Sequence, residues 1–331
     1  MFKNLLVYRL APEWQADLIS LDEGLAKHRF VPCGASQPLS LGWVPPRGEA
    51  HSPLVESIGG HWLLKLTIER KVLPGAVVKR RTEELAARVE QETGRKPGKK
   101  MTKELKEQAV LELLPMAFTK QSSTWVWLDV RQQLLMVDAG SPGKADEVIT
   151  ALVKAADGLA VLPLHTAMSA GAAMTDWLAS GEPPSMFTVD RDAELKSSDE
   201  QKSVVRYARH PLDIDEVRQH ISEGKLPTKL ALTWEARVSL MLTDTLQIKK
   251  LQFLDVVFEG HKPGKEEAFD ADVAIATTEL SKLIPDLIAA LGGEQAPGTP
   301  APVPGAAVVP SRAPAPSPDS PAELADVAPW D

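Results

Sequence analysis

Few side chains in this sequence are placed to act as a catalytic or metal site, and the best candidates are two aspartates. Asp270 and Asp272 are separated by a single residue. On a β-strand, residues two apart lie on the same face, so both carboxylates could hold a divalent cation as a nuclease requires. The competing interpretation is a polar strand or turn edge ahead of the last helix. A metal-dependent nuclease built on these two residues is kept as one hypothesis.

Other catalytic and cofactor chemistries find little support in the residue spacing. The stretches 94–100 and 140–145 contain glycines and a lysine, but they lack the loop length and the hydroxyl of a nucleotide phosphate loop. The seven histidines are scattered, and none has a cysteine or a second histidine at metal-ligand spacing. The single cysteine, Cys33, is expected to be a small buried apolar residue. We therefore expect no enzymatic activity, no cofactor and no metal.

Charge is distributed unevenly along the chain. The whole chain carries a formal charge of −8, yet residues 70–106 hold twelve basic and five acidic side chains, a net +7. Lysine-rich helices are often only solvated surfaces, in which Glu–Lys spacing helps folding. Here four cations cluster at a turn, where helical spacing gives no such benefit. The charge pattern favours a polyanion partner. The cations assigned to the polyanion contact on this basis are Lys79, Arg80, Arg81, Arg88, Arg95, Lys96, Lys99, Lys100 and Lys103.

The basic stretch has the pattern of two helices joined by a cationic turn. Leu85 and Val89 lie four residues apart on one face of the first helix, with Thr82 as its expected N-cap and Gly94 at its end. The second helix is expected to have Thr102 as its N-cap and to stop at Pro115. A turn containing Pro97 and Gly98 separates the two. The sequence therefore predicts a protruding helical hairpin with a basic tip.

The elements on either side of this stretch predict antiparallel sheets with packed helices. Alternation at 125–129 followed by 134–137 predicts a β-hairpin, with Trp125, Trp127 and Asp129 on one face. A helix is predicted over 145–156. A later meander of strands begins at Lys229, and an apolar stripe over 280–291 predicts a final helix that ends at Gly292. The fold class is α+β.

The composition is that of a globular protein, and its last part differs. The chain has 331 residues, of which 44% are hydrophobic and 25% charged. No segment predicts a signal peptide or a membrane span, and one cysteine allows no internal disulfide, so we expect a cytoplasmic protein without membrane association. Residues 294–331 are rich in proline and alanine and are expected to be a disordered tail. That tail is either passive or a docking segment of a protein-interaction adaptor.

Eight segments, taken in order, resemble the recombination-associated RdgC proteins of proteobacteria. None is a chemical motif alone, but their number and order are specific. They are FKNLLVYRL at 2–10, FVPCG at 30–34, GWVPP at 42–46, LLPMAF at 113–118, DAELK at 192–196, TKLALTW at 228–234, FDAD at 269–272 and LGGE at 291–294.

The resemblance implies an architecture and a role that the residues alone do not give. The implied assembly is a ring-shaped homodimer whose basic hole encircles duplex DNA without reading its sequence, and which also binds single strands. The implied action is to limit the access of the RecA recombinase to DNA in recombination and replication, in association with the nucleoid.

The resemblance also assigns a few individual residues. Phe118 matches a family position at the dimer contact, and Arg209 and His210 fall where the family has a polar, basic finger. Arg206, in the same segment, is assigned to DNA contact with them. His210 departs from the family pattern, as does Met116, which replaces a basic residue.

These observations predict four segments and one leading function. The segments are an N-terminal α/β part at 1–75, the basic hairpin at 76–115, a central and C-terminal α/β part at 116–293, and the tail at 294–331. The leading function is sequence-independent DNA binding without enzymatic activity. The nuclease and the tail-mediated adaptor are the alternatives.

Overall fold

Two antiparallel β-sheets organise the computed structural model, which describes residues 2–259 and 268–295. The first sheet has seven strands in the order β2-β4-β5-β6-β1-β7, with β3 also paired to β4. All of its strand pairs are antiparallel. Its strands are β1 (Leu6–Leu10), β2 (Leu39–Val44), β3 (Glu56–Ile58), β4 (His61–Val72), β5 (Phe118–Asp129), β6 (Leu134–Val137) and β7 (Val161–Pro163).

The second sheet has five strands and contains the predicted meander. Its order is β12-β11-β10-β8-β9, again with antiparallel pairing throughout. The strands are β8 (Phe187–Ser197), β9 (Val204–Tyr207), β10 (Lys225–Trp234), β11 (Val238–Thr243) and β12 (Ile248–Phe253). The α+β class with antiparallel sheets is confirmed.

Seven α-helices are present among the described residues. They are α1 (Leu18–Ala26), α2 (Gly75–Thr93), α3 (Lys99–Leu113), α4 (Pro142–Ala155), α5 (Ala170–Ser180), α6 (Asp215–Ser222) and α7 (Ala268–Ala290). The helix predicted over 145–156 is α4, and it starts three residues earlier because Pro142 occupies its first turn. No helix in the described part of the chain combines the length and apolarity that crossing a bilayer requires.

Alternation along β5 explains why the first sheet has a hydrophobic core on each face. Trp127 points into a core that also contains Leu230 and Leu232 of the second sheet and residues of α5 and α7. Val126 and Leu128 point into the opposite core, which α1 and α4 cover. Successive side chains of a strand point to opposite faces, so this division follows directly from the sequence pattern. The predicted hairpin of β5 and β6 is confirmed.

The final helix begins well before its apolar stripe. It starts at Ala268, so Asp270 and Asp272 lie in its first turns and not on a strand. The strand predicted for this pair is wrong, because the helical repeat extends toward the N-terminus past the leucine-rich stretch. Polar contacts tie the helix to the second sheet: Arg237 donates to both carboxylate oxygens of Glu279 at 2.7 Å, and the Trp234 indole donates to Asp286 at 2.9 Å.

The described residues all lie within one compact unit, Met1–Thr299. The division of that unit into segments 1–75, 76–115 and 116–293 stays a prediction. The tail predicted from residue 294 falls almost wholly outside the described residues, so its expected role as a passive or docking segment also stays a prediction.

Truncation of Leu63 tests the core between the two sheets. This side chain is fully buried, so Leu63→Ala is expected to lower the free energy of unfolding by about 2–5 kcal/mol through lost contacts and a residual cavity. The matched control is Leu111→Ala in α3, where the side chain is 61% exposed and the change is expected to stay within about 0.5 kcal/mol. Urea denaturation followed by tryptophan fluorescence measures both, and equal effects of the two substitutions would contradict the core assignment.

Candidate nucleic-acid interface

The basic segment is an insertion between two strands that pair with each other. Strand β4 pairs with β5 from Trp62 opposite Leu128 to Val72 opposite Phe118. Helix α2 starts three residues after Val72, and α3 leads back into β5 through a single 3₁₀ turn at 114–116. The chain therefore leaves and re-enters the sheet at neighbouring residues. A helix rises ~1.5 Å per residue, so the far end of α2 lies ~28 Å along the helix from its start.

A small apolar cluster holds α2 and α3 together; the two are called the helix pair below. Leu85 of α2 is buried against Leu105 and Ala109 of α3. Arg81 adds a polar link, since its guanidinium lies 2.7 Å from a carboxylate oxygen of Glu112 in α3. Hydrogen bonds from Arg81 and then from Gln108 lower the pKa of Glu112. The helix pair thus has its own small core and an ion pair close to the sheet.

The ends of the two helices differ from the sequence prediction. Gly94 ends α2 in a left-handed conformation, φ 69°, as predicted. Thr82 is not the N-cap of α2, because the helix starts at Gly75; its hydroxyl donates to the carbonyl of Val78. Thr102 is not the N-cap of α3 either, because the helix starts at Lys99 after Gly98 and the Thr102 hydroxyl donates to the Gly98 carbonyl. Both threonines are hydroxyl donors inside a helix.

Cations near the sheet each have a protein acceptor close by. Lys79 lies 3.8 Å from Glu83, Arg80 lies 3.3 Å from Glu84, and Arg81 lies 2.9 Å from the other oxygen of Glu84. At the base of the helix pair, Arg70 pairs with Glu147 at 2.7 Å, and the Lys71 ammonium donates to two backbone carbonyls. These cations have a structural use, and their charge is largely compensated.

Cations toward the far end of the helix pair are exposed and form no close ion pair among the described residues, although Arg88 interacts with Glu112 at longer range. Residues 94–103, called the cationic turn below, hold five cations and no carboxylate. In the described part of the chain, no carboxylate lies within 4.0 Å of Arg88 or of any cation in the turn. Lys99 and Lys100 also occupy the first turn of α3, where the helix dipole disfavours positive charge. Helix stability therefore does not explain these lysines, and a bound polyanion would.

Phe118 lies at the end of the β4–β5 ladder with its side chain 87% exposed. Val72, opposite Phe118 in the ladder, is also exposed, as are Val77 in the first turn of α2 and Met116 in the turn before β5. Strand β5 pairs with β6 only from Val126 onward, so its first half has a strand partner on one side only among the described residues. An apolar group beside a free strand edge is a typical protein-contact surface.

The predicted basic finger lies on the second sheet. Arg206 of β9 donates to Glu194 at 2.7 Å, and the same carboxylate accepts hydrogen bonds from Lys229 and Thr228 at 3.0 Å. Burial raises the pKa of Glu194, but these hydrogen bonds outweigh burial and lower it to about 2. His210 lies with its Nδ1 2.8 Å from the Pro211 carbonyl oxygen, while the Arg209 guanidinium has no ion-pair partner among the described residues. Of the three, Arg209 offers a free charge.

The two aspartates proposed for a nuclease are not arranged as a metal site. Residues two apart on a helix project about 200° apart, so Asp270 and Asp272 do not share a face. Asp270 instead accepts a hydrogen bond from Arg47 at 2.6 Å. Across the described ranges, no three His, Cys, Asp or Glu side chains come together as ligands for one ion. Cys33 is half-buried and not fully buried as expected, with its backbone N–H donating to Glu69.

Residues 1–294 match the family model described as "Putative exonuclease, RdgC". The chain belongs to the RdgC family. A protein named "Recombination-associated protein RdgC" from Dechloromonas aromatica (strain RCB) is 47% identical over 299 residues, which cover 88% of this chain and 98% of that relative. Proteins of the same name from Janthinobacterium sp. (strain Marseille) and Bordetella pertussis (strain Tohama I) are 46% and 41% identical. These two alignments cover 88% and 89% of this chain and 98% and 99% of the relatives.

Family membership therefore confirms the resemblance drawn from the eight segments, and it associates this RdgC chain with recombination. The family match ends at residue 294, where the proline- and alanine-rich composition begins. The residue assignments to DNA contact and to the dimer contact remain predictions.

The Glu194 network predicts a pH-dependent contribution to stability. A carboxylate whose pKa is lowered by folding stabilises the protein above its ordinary pKa of 4.5, and the contribution disappears as the pH falls toward 2. Glu194→Gln is expected to lower the urea midpoint at pH 7 and to leave it unchanged near pH 2. Glu83→Gln is the control, because that carboxylate is exposed and its one ion-pair contact, with Lys79, is long at 3.8 Å. A difference between wild type and Glu194→Gln that persists unchanged at pH 2 would contradict the ionic role.

Proposed function

We propose that this RdgC chain binds DNA without sequence preference through the cationic turn, and that it acts by occupying DNA without chemistry. The observation that carries the proposal is the unpaired positive charge of residues 94–103 in a chain with a formal charge of −8. Lysine and arginine contacts to phosphates supply affinity but no sequence information. In this proposal Arg88, Arg95, Lys96, Lys99, Lys100 and Lys103 contact the backbone, while Lys79, Arg80 and Arg81 contribute less because acids compensate them.

The proposed assembly is a ring-shaped homodimer, in which the helix pair projects as a hairpin toward duplex DNA in the hole. The exposed Phe118 and the free edge of β5 support a contact between copies at this end of the sheet. The net negative charge of the rest of the chain supports a ring that is acidic outside and basic inside. Such a distribution repels DNA from the outer surface and attracts it to the hole.

The proposed role is to limit the access of a RecA-type recombinase to DNA, in the cytoplasm and in association with the nucleoid. The family name supports a part in recombination. A protein that covers the phosphate backbone competes with any other protein for the same strand, so direct contact with the recombinase is not required. Arg206, Arg209 and His210 are proposed as secondary contacts, with Arg209 the strongest since its charge is free.

Two matched double substitutions separate functional cations from structural ones. Lys99→Gln/Lys100→Gln is expected to weaken duplex binding and to reduce the slope of log K against log salt by about 2, because each phosphate contact contributes about 0.9 to that slope. Lys79→Gln/Arg80→Gln removes the same charge but is expected to change the slope little, since Glu83 and Glu84 already compensate those cations. Fluorescence anisotropy with two duplexes of unrelated sequence measures both slopes.

Three outcomes of that experiment would contradict the proposal. They are equal slopes for the two variants, binding by the wild-type protein that does not respond to salt, and a strong preference for one duplex sequence.

Substitution of Phe118 tests the dimer contact. Phe118→Ser is expected to weaken self-association by about 30-fold, the effect of losing a contact worth ~2 kcal/mol at an interface centre. Ile19→Ser on α1 is the control, because Ile19 is also strongly exposed but lies on a helix distant in sequence from the ladder end. Sedimentation velocity over a concentration series gives the dissociation constants. A wild-type protein that stays monomeric, or a Phe118→Ser variant that dimerises normally, would contradict the contact.

The exonuclease activity named in the family description is a second candidate function. It requires a catalytic group outside the predicted Asp270 and Asp272 pair, since these two carboxylates diverge on α7. Incubation of end-labelled duplex and single-stranded DNA with the protein and Mg²⁺ or Mn²⁺ decides between the candidates. Intact DNA is expected. Progressive shortening that Asp270→Asn/Asp272→Asn leaves unchanged would establish an exonuclease with another active site.

A further inference from the structure

A cleft of about 380 Å³ lies where α1 meets the C-terminal end of α4. One wall is formed by α1 and the loop before it, and the other by residues 155–157, so the cleft is apart in sequence from the basic segment. The two helices meet backbone to backbone here, because a Cβ at Gly24 would lie 1.9 Å from the Ala155 carbonyl oxygen. Volumes of this size are typical of sites for small ligands.

The charged side chains of the cleft are mostly carboxylates. Glu23 on α1 and Asp157 on the opposite wall form no ion pair and accept no hydrogen bond among the described residues. Glu23 is unpaired although Lys27, which also lines the cleft, follows it one helical turn later. Asp17 accepts a hydrogen bond from the Ser20 backbone N–H at 2.7 Å, and hydrogen bonds with Ser20 lower the pKa of Asp17. The cleft thus holds two more carboxylates than ammonium groups.

The backbone at the end of α4 adds an acceptor of a different kind. The helix ends with the Ala156 N–H donating to the Leu152 carbonyl, and within the described ranges the carbonyl oxygen of Ala155 receives no N–H. Ala155 is only 6% exposed, and a buried backbone acceptor is normally hydrogen-bonded. The last carbonyls of a helix also form the negative end of its dipole and favour cations. This carbonyl therefore indicates a cationic donor in the cleft.

The carboxylates are spread along the cleft, and part of its lining is aromatic. Across the described residues, no three His, Cys, Asp or Glu side chains come together as ligands for one metal ion, so Asp17, Glu23 and Asp157 are not a compact ion site. Trp14 packs against the core that α1 covers and also borders the cleft. An indole ring attracts ammonium groups and packs against methylene groups. This combination suits an elongated cation whose charges are separated.

We propose that this cleft binds a linear aliphatic diamine, with one ammonium at Glu23 and the other at Asp157 and the Ala155 carbonyl. The methylene chain packs along Trp14 between the two ends. Each ammonium has three donors, which the carboxylates and the carbonyl accept. The two positive charges of a diamine match the excess of carboxylates, whereas a monoamine leaves one carboxylate unpaired. The site is separate from the cationic turn and does not depend on the proposed DNA binding.

Titration calorimetry of the full-length protein with putrescine, a four-carbon diamine, tests the site. DNA is left out because diamines also pair with phosphates. Putrescine is expected to bind the wild-type protein at a single class of sites, and more weakly as salt screens the exposed charges. Glu23→Gln and Asp157→Asn are each expected to weaken binding by roughly threefold, and together by roughly tenfold. Glu13→Gln is the matched control, because Glu13 is exposed in the loop before α1 but does not line the cleft.

Two other cations and a Trp14 variant test the shape of the site. Butylamine and Mg²⁺ are each expected to bind at least roughly tenfold more weakly than putrescine, because butylamine has one ammonium and Mg²⁺ holds both charges at one point behind bound water. Trp14→Leu is expected to weaken putrescine binding by roughly threefold through loss of the contact between ammonium and indole.

Several results would overturn the proposal. One is the absence of saturable putrescine binding to the wild-type protein. Another is normal putrescine affinity in a folded Glu23→Gln/Asp157→Asn variant, with folding checked by thermal melting. Equal weakening by Glu13→Gln, or Mg²⁺ binding as tight as that of putrescine, would show an acidic surface without a site and would also overturn it.

Discussion

The pairing of β4 with β5 is the constraint on which the arrangement of the candidate site depends. One end of this ladder lies between two hydrophobic cores, where Trp127 and Val126 are fully buried on opposite faces. The other end extends beyond the cores. There β5 carries Phe118 and, among the described residues, pairs with β4 but not with β6. Because Val72 and Phe118 face each other, the inserted helices must leave and return at one place. The rigid part of the protein thereby sets the direction of the helix pair.

Charge compensation then divides the basic segment into two parts with different uses. Close to the sheet, arginines and lysines pair with glutamates or donate to backbone carbonyls, and they stabilise the attachment of the helix pair. Residues 94–103 carry five cations and no carboxylate. The cations at this position have little desolvation penalty in the free protein, because their side chains remain solvated until DNA replaces the water and counterions. The same chain can therefore carry a net negative charge and still bind DNA locally.

Sequence reasoning predicted the elements well where a single periodicity dominates. The alternation at 125–129, the meander from Lys229 and the end of α2 at Gly94 all agree with the structure, because they depend on local pattern. It failed at helix starts: Thr82 and Thr102 have the right residue type for a cap, but the helices begin earlier at glycine or lysine. The sequence pattern also does not distinguish ion-paired cations from unpaired ones. Lys79, Arg88 and Lys100 each have a glutamate four residues later, but among the described residues only Lys79 forms an ion pair with it. The cleft between α1 and α4 gave no sequence signal, because its residues come from two segments that are far apart in the chain.

Duplex DNA is proposed to contact the cationic turn. The most direct measurement is photochemical cross-linking of the full-length protein to a duplex of arbitrary sequence, followed by mass-spectrometric mapping of the attached peptides. We expect cross-links concentrated on peptides that contain residues 95–106, with few at 79–81 and few on α1 or α4. Cross-links confined to the second sheet or to the acidic surface, with none on the turn, would contradict it.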